Sequence, residues 1–241
     1  MKYYDFNLKG SNYQNDLKLL NEANNLNWDY VKIMYSQEEY TNALKNENIL
    51  RDETEKLGIN FDYGLEINTN NPEELRKLTR KNRSKIKYIS CLGGNLKINR
   101  AALENRQIDT LSRPYYHRRD SGMNHVLAKL ARDNNVCVEL SLKDILTNHL
   151  SYRAKVISYF KEILLFQRKY KFPLILTSGA TNFYDTKSVK DFLSIFNSIG
   201  FTNEEINNAI STVPSNIIDF NNNRENMVIE GVCIVDDDLW N

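Results

Sequence analysis

Side chains that could bind a metal ion or carry out acid–base chemistry are few in this sequence. It contains three histidines, which are His117, His125 and His149. A metal site needs a cluster of such ligands, yet the first predicted strand offers Asp5-Phe6-Asn7, and asparagine is a poor metal ligand. The sequence therefore predicts neither a metal site nor a catalytic residue in this chain.

Three acidic residues near predicted strands form a second candidate group. Asp5, Asp109 and Glu139 could together make a carboxylate cluster inside the fold. The alternative is structural, because a buried carboxylate needs a partner, and it pairs Asp5 and Glu139 with buried Arg or Lys from neighbouring strands. We favour the structural alternative and expect no catalysis from these residues.

Positively charged residues are concentrated in the middle of the chain. Residues 71–190 carry 24 Lys and Arg against 10 Asp and Glu, whereas both ends are acidic and the whole chain has a formal charge of +1. Such asymmetry indicates a surface for a polyanion. The densest run, residues 76–87, has no acid in it. On an outward-facing helix this run would serve solubility, so we rank it below the basic loops.

Four segments could place cations or backbone N–H groups where a chain of phosphates can reach them. They are residues 97–100, the loop 113–119, residues 168–171 and the loop 177–187. The loop 113–119 precedes a helix, whose N-terminal N–H groups and dipole add to its charge. Tyr115 and Tyr116 could stack on an unpaired base, with core packing of one of them as the alternative. The predicted binding residues are Lys97, Arg100, Arg113, Arg118, Arg119, Lys169 and Lys187.

The hydrophobic pattern alternates between short strands and longer helices along the whole chain. Asn71 and Pro72 begin one helix as N-cap and first-turn residues, and Thr202 with Glu205 forms a capping box for another. Seven or eight β–α units without a linker predict a parallel sheet, and no glycine-rich nucleotide loop follows the first strand. We therefore predict an α/β fold, a TIM-like (β/α) barrel, regular or irregular, as a single domain over residues 1–220. Residues 221–241 form an acidic C-terminal segment, either a last strand at 227–235 or a tail.

A barrel of this type places the loops that follow its strands at one end. The segments 97–100, 113–119 and 177–187 would therefore share one rim. If the basic face neutralises about six phosphates, log K plotted against log salt concentration should have a slope near −5.

The junctions of strand, loop and helix in residues 108–142 are specific enough for comparison with a known family. A strand ends in LSRP, RDSGMNHVLAKL follows, and the next strand ends in SLK; further along, KYKFP leads into LTSGA. These motifs resemble RNase P protein component 3, whose barrel is similar to the polymerase-and-histidinol-phosphatase superfamily. Order and spacing agree from about residue 96 to about residue 217. The first third of the chain matches the family only in its alternation of strands and helices.

The resemblance implies a subunit of ribonuclease P, the RNA-based endonuclease that removes the 5′ leader of precursor tRNA. It implies that the catalytic centre and its Mg²⁺ belong to the RNA, so that the protein itself binds no cofactor. The implied partners are RNase P RNA, precursor tRNA, RNase P protein component 2 and the other subunits. Two alternatives stay open, namely a stand-alone barrel metallophosphoesterase and a protein–protein scaffold with acidic ends.

The N-terminus has no apolar stretch like that of a signal peptide, and no run of eighteen apolar residues occurs. We therefore expect a cytoplasmic protein with no membrane partner.

Overall fold

The computed structural model describes residues 1–224, 227–229 and 232–233, and its main feature is one sheet of seven parallel strands in chain order. The strands are β1 (Tyr4–Lys9), β2 (Tyr30–Ser36), β3 (Asn60–Ile67), β4 (Ile89–Leu92), β5 (Thr110–Ser112), β6 (Cys137–Ser141) and β7 (Leu174–Thr177). The sheet curls until β1 meets the end of β7, where the Lys9 N–H donates to the Ala180 carbonyl oxygen at 2.8 Å. The prediction of a TIM-like barrel is confirmed, with seven strands in a nearly closed wall.

Helices connect successive strands and cover the outside of this wall. They are α1 (Tyr13–Asn25), α2 (Gln37–Ala43), α3 (Glu47–Leu57), α4 (Pro72–Arg83), α5 (Leu96–Leu103), α6 (His125–Asp133), α7 (Lys143–Leu146), α8 (Leu150–Tyr170), α9 (Val189–Ile199), α10 (Asn203–Asn207) and α11 (Val213–Asn223). None of the helices in the described residues combines the length and the apolar character that a membrane span requires.

The inside of the barrel is filled by side chains rather than open. Its apolar cluster consists of Tyr4, Phe6, Met34, Tyr88, Cys137 and Ile175. The buried Lys32 ammonium lies 5.0 Å from the ring centre of Phe6 and donates to the Tyr30 hydroxyl at 2.9 Å. A larger apolar core lies between the sheet and the helices. Because the lumen is packed, ligands can bind only at the ends or on the outer wall.

Local signals predicted the starts of α4 and α10 correctly, whereas the C-terminal part differs from the prediction. Asn71 caps α4 through the Glu73 N–H, and Thr202 and Glu205 form the predicted capping box. The helix predicted near residues 203–213 instead passes through a π-helical segment, Asn208–Thr212, and continues as α11 across residue 220. In place of one last strand, Met227–Ile229 and Val232–Cys233 pair with each other and not with the barrel sheet. The remainder of the predicted strand lies outside the described residues.

Candidate nucleic-acid interface

The loops that follow the strands form one rim of the barrel, and a buried asparagine ties two of them together. Asn99 in α5 donates through its side-chain amide to the carbonyl oxygens of Pro114 and Gly122, both at 2.9 Å. Its side-chain oxygen accepts from the Gly94 N–H at 2.9 Å. One side chain therefore fixes the glycine turn after β4 against the long loop after β5.

Gly122 is required where this loop turns back towards α6. Its φ of +67° is a conformation that side-chain-bearing residues rarely adopt, and a Cβ there would lie 1.9 Å from the Pro114 carbonyl oxygen. The backbone at Gly122 thus approaches the backbone at Pro114 more closely than a residue with a side chain would allow.

Arg118 connects the same two loops from the solvent side. Its guanidinium donates to the Gly94 carbonyl oxygen at 2.9 Å and forms two bonds to Asp120, at 2.6 and 2.7 Å. The bidentate contact with Arg118 holds the pKa of Asp120 below its usual value. The predicted RNA-binding residue Arg118 therefore has partners within the protein and shapes the loop.

Arg113 also has a partner within the protein. Its guanidinium makes a bidentate contact with Asp144, which also accepts from the Tyr115 hydroxyl at 2.8 Å. Tyr115 is buried against Phe160, so the core-packing alternative holds for this tyrosine. Tyr116 lies half-buried below the Arg113 guanidinium, with 4.1 Å between its ring centre and the guanidinium carbon. RNA binding by Arg113 stays a prediction that the geometry does not favour.

A cleft of about 700 Å³ opens on the rim between these loops, and we call it the rim cleft. It is lined by residues 68–70, 92–98 and 116–118. Lys97 at the start of α5 and His117 are exposed in its wall, and Arg119 is exposed beside it. No side chain in the described part of the chain forms an ion pair with Lys97 or Arg119. The cleft therefore offers cations, polar loop atoms and the N-terminus of α5 to an anionic ligand.

The other predicted binding residues have different surroundings. Arg100 points out of α5, 64% exposed, and pairs with Glu104 at 2.7 Å. Lys169 lies near the C-terminal end of α8, away from the rim, as expected for that segment.

The expectation that Lys187 shares the rim is wrong. Its carbonyl oxygen accepts from the Trp28 indole N–H at 3.0 Å, and the next residues contact Leu26 at the end of α1. Both contacts are at the barrel end where β2 begins. The loop leaves the rim near Thr181 and descends along α1, because it must reach the start of α9 at the opposite end.

The barrel mouth, where barrel enzymes of this type hold their ligands, contains two buried carboxylates that accept hydrogen bonds from uncharged groups. Glu139 accepts from the Asn7 side-chain amide and from the Thr177 hydroxyl, the latter at 2.6 Å. Asp5 accepts from the Ser178 N–H at 3.1 Å. Burial raises the pKa of Asp5 to about 6 and raises that of Glu139 as well. The described residues contain no group of three His, Cys, Asp or Glu side chains that could hold a metal.

The favoured interpretation of these carboxylates is therefore wrong in its partners, and the alternative three-carboxylate cluster does not form either. Asp5 and Glu139 are not paired with buried Arg or Lys, since amide, hydroxyl and backbone groups of β1 and β7 reach them first. Asp109 does not join them, because it lies at the opposite end of the barrel before β5. There it accepts from Arg83 at 2.6 Å and from Arg224 at 3.0 Å.

Sequence reasoning missed two residues that organise the rim, Asn99 and Asp144. Asp144 follows β6 just as Arg113 follows β5, and adjacent parallel strands end side by side. Opposite charges after neighbouring strands were therefore a usable signal. Nothing in the local sequence distinguishes Asn99 from a surface residue of α5.

The fold and the rim define an α/β barrel protein with a basic cleft between the loops that follow its strands. The chain belongs to the RNase P subunit p30 family, whose profile matches residues 2–226. It is 38% identical over 235 residues to ribonuclease P protein component 3 of Methanothermobacter thermautotrophicus, covering 98% of this chain and 96% of that protein.

A solved structure agrees with this assignment. A chain in the cryo-EM structure of archaeal ribonuclease P with mature tRNA superposes with a TM-score of 0.82 and 29% identity, covering 96% of this chain and 98% of that one. The A. niger ochratoxinase shares the fold alone, with a TM-score of 0.60 and 12% identity, over 90% of this chain and 71% of that one.

Proposed function

We propose that this protein is a subunit of ribonuclease P, which removes the 5′ leader of precursor tRNA, and that it binds the RNA subunit through the rim cleft. The observation that carries this proposal is the family match across residues 2–226. A relative solved within archaeal ribonuclease P covers nearly the same length and supports it. RNase P protein component 2 and the other subunits are its proposed partners, in the cytoplasm.

The rim cleft suits an RNA backbone because its cations reach solvent from a rigid frame. Lys97 and Arg119 are exposed and unpaired within the described residues, while Arg118 and Asn99 hold the loops that carry them. His117 and Tyr116 form an aromatic pair with ring centres 4.0 Å apart at the cleft wall. Side chains of this kind hold phosphates and can stack on an unpaired base.

The catalytic centre in this proposal is part of the RNA, and Mg²⁺ is held by RNA phosphates rather than by this chain. The residues at the barrel mouth support that division. Glu139 accepts from Asn7 and Thr177, and Asp5 accepts from the Ser178 N–H just after β7. The protein then contributes charge and shape, which position the RNA.

Reconstitution tests the proposal directly. An archaeal-type RNase P RNA and the other protein subunits are assayed for precursor-tRNA cleavage at limiting Mg²⁺, with and without this protein. We expect stimulation by the wild type. The Lys97→Gln/Arg119→Gln variant should bind the RNA at least tenfold more weakly at moderate salt, since two phosphate contacts are lost.

A matched control separates the effect of losing two positive charges from the effect of where those charges lie. Lys155 and Lys161 are exposed on α8, and the Lys155→Gln/Lys161→Gln variant should behave like the wild type. Absence of stimulation by the wild type would overturn the proposal. Phosphatase or nuclease activity with Mn²⁺ or Zn²⁺ and no RNA subunit would favour the metallophosphoesterase instead. Stimulation that does not depend on RNA binding would favour a protein scaffold.

A further inference from the structure

A second basic surface runs down the outer wall of the barrel on α4. Together with Glu73, the exposed basic residues Arg76, Lys77, Arg80 and Lys81 line a shallow groove of about 360 Å³. We call these four residues the α4 ridge. The neighbouring Arg83 is not part of it, because its side chain is buried and bonded to Asp109 at 2.6 Å. Arg83 is thus the buried member of a basic run whose other cations are exposed.

The charge of the α4 ridge is only slightly compensated. Arg76 is 3.9 Å from Glu104, a carboxylate already bonded to Arg100 at 2.7 Å. Within the described residues, Lys77, Arg80 and Lys81 form no ion pair at all. Glu73 lies one turn before Arg76 and Lys77 without forming an ion pair with them, and no acidic residue lies one turn from Arg80 or Lys81.

The spacing within the ridge works against the stability of the isolated helix. Arg76 and Arg80 are four residues apart, as are Lys77 and Lys81, and like charges at this spacing repel. The helix dipole favours Arg80 and Lys81 in the last turn, but it gives no such benefit to Arg76 and Lys77 further from that end. An external polyanion lying along the ridge would relieve both repulsive pairs.

The position of α4 makes the ridge continuous with the rim cleft. Residues 68–70 line the cleft, and α4 begins two residues later and descends the wall for about 18 Å. We propose that the α4 ridge is a second contact surface for the phosphate backbone of the RNA that occupies the rim cleft. This inference deepens the proposed function and rests on it.

A triple variant removes the unpaired charges of the ridge without touching the cleft. We expect Lys77→Gln/Arg80→Gln/Lys81→Gln to reduce the slope of log K against log salt concentration by about 2 to 3, since each phosphate contact contributes about 0.9. At about 0.1 M salt, affinity for the RNase P RNA transcript should fall on the order of 100-fold. Circular dichroism should show a melting temperature equal to or above that of the wild type, because repulsion is removed.

The control removes as many charges from another wall. Lys155, Lys161 and Lys190 are exposed on α8 and α9, and Lys155→Gln/Lys161→Gln/Lys190→Gln should leave the slope unchanged. Hydroxyl-radical footprinting of the RNA should lose protection only with the ridge variant.

The possible results separate this inference from the proposed function. If the slope is reduced in the Lys97→Gln/Arg119→Gln variant but equals the wild-type slope in the ridge variant, the ridge does not contact RNA. The inference is then overturned, and the proposed function is unaffected. The ridge variant could instead keep the wild-type slope but lose cleavage activity, and an excess of another protein subunit could restore that activity. This result would mean that the ridge binds an acidic protein, and it would also overturn the inference. If the slope is reduced in the ridge variant but the wild type does not stimulate cleavage, the ridge binds RNA and the proposed function is wrong.

Discussion

Replacement of Asp5 by asparagine tests whether the barrel mouth holds an unpaired, buried carboxylate or a metal ligand. Asp5 is 1% exposed, and burial raises its pKa from 3.8 to about 6. A rise of about two units means that the ionised form costs the folded state about 3 kcal/mol. The N–H groups of Ser178 and Asn7 donate to it but do not offset its burial.

The sign of the pH dependence follows from the direction of this shift. Since the pKa of Asp5 is higher in the folded than in the unfolded state, its penalty is full above about pH 6, fades as the pH falls, and is gone below 3.8. The Asp5→Asn variant lacks this titration. Its free energy of unfolding relative to the wild type should therefore increase by about 2 kcal/mol between about pH 4 and about pH 7.5.

Urea unfolding followed by circular dichroism at the two pH values measures this difference. Any cost of the unpaired asparagine amide is independent of pH and cancels in the comparison. The exposed Asp52 supplies the control, and Asp52→Asn should show no comparable change. A relative stability of Asp5→Asn that does not change with pH would refute the reasoning. So would stabilisation of the wild type by Mn²⁺ or Zn²⁺ that is lost in the variant, because Asp5 would then be a metal ligand.

Two further predictions concern the frame of the rim. Asp144→Ala leaves the Arg113 guanidinium, about four-fifths buried, without its charged partner. The variant should therefore lower the free energy of unfolding by about 3–5 kcal/mol in chemical denaturation. A loss below about 1 kcal/mol would show that the pair is effectively exposed. Gly122→Ala should cost more than Gly58→Ala by over about 2 kcal/mol, since both have positive φ but only Gly122 would press a Cβ against Pro114. Equal melting temperatures for the two variants would contradict this.

The barrel itself was predictable because its signals are local. Strand β7 follows from a continuous apolar run, and the start of α4 follows from Asn71 and Pro72, whose conformations suit a cap and a first turn. The interruption of α10 by a π-helical segment was not predictable, since Thr202 and Glu205 specify only where that helix begins.

The partners of the rim residues were much less predictable, because they come from distant loops. Arg113 and Asp144 are 31 residues apart, and only the neighbouring positions of β5 and β6 bring them together. The Asn99 contacts likewise depend on how two loops are packed. The position of Lys187 depends on where α9 begins in the fold, and the residues of the loop do not determine that position.

These internal contacts also limit how much charge the rim can offer to RNA. Of the seven predicted residues, Arg113 and Arg118 are engaged within the protein, and Lys169 and Lys187 lie away from the rim. This leaves the unpaired Lys97 and Arg119, together with Arg100, whose exposed pair with Glu104 an RNA phosphate would have to replace. Three phosphate contacts correspond to a salt slope of about −3, whereas the basic face was expected to give about −5. The four cations of the α4 ridge supply the missing contacts, because cleft and ridge together can reach six or more phosphates. A wild-type slope near −3 would mean that RNA touches the rim alone, and a slope of −5 or steeper requires the wall of the barrel as well.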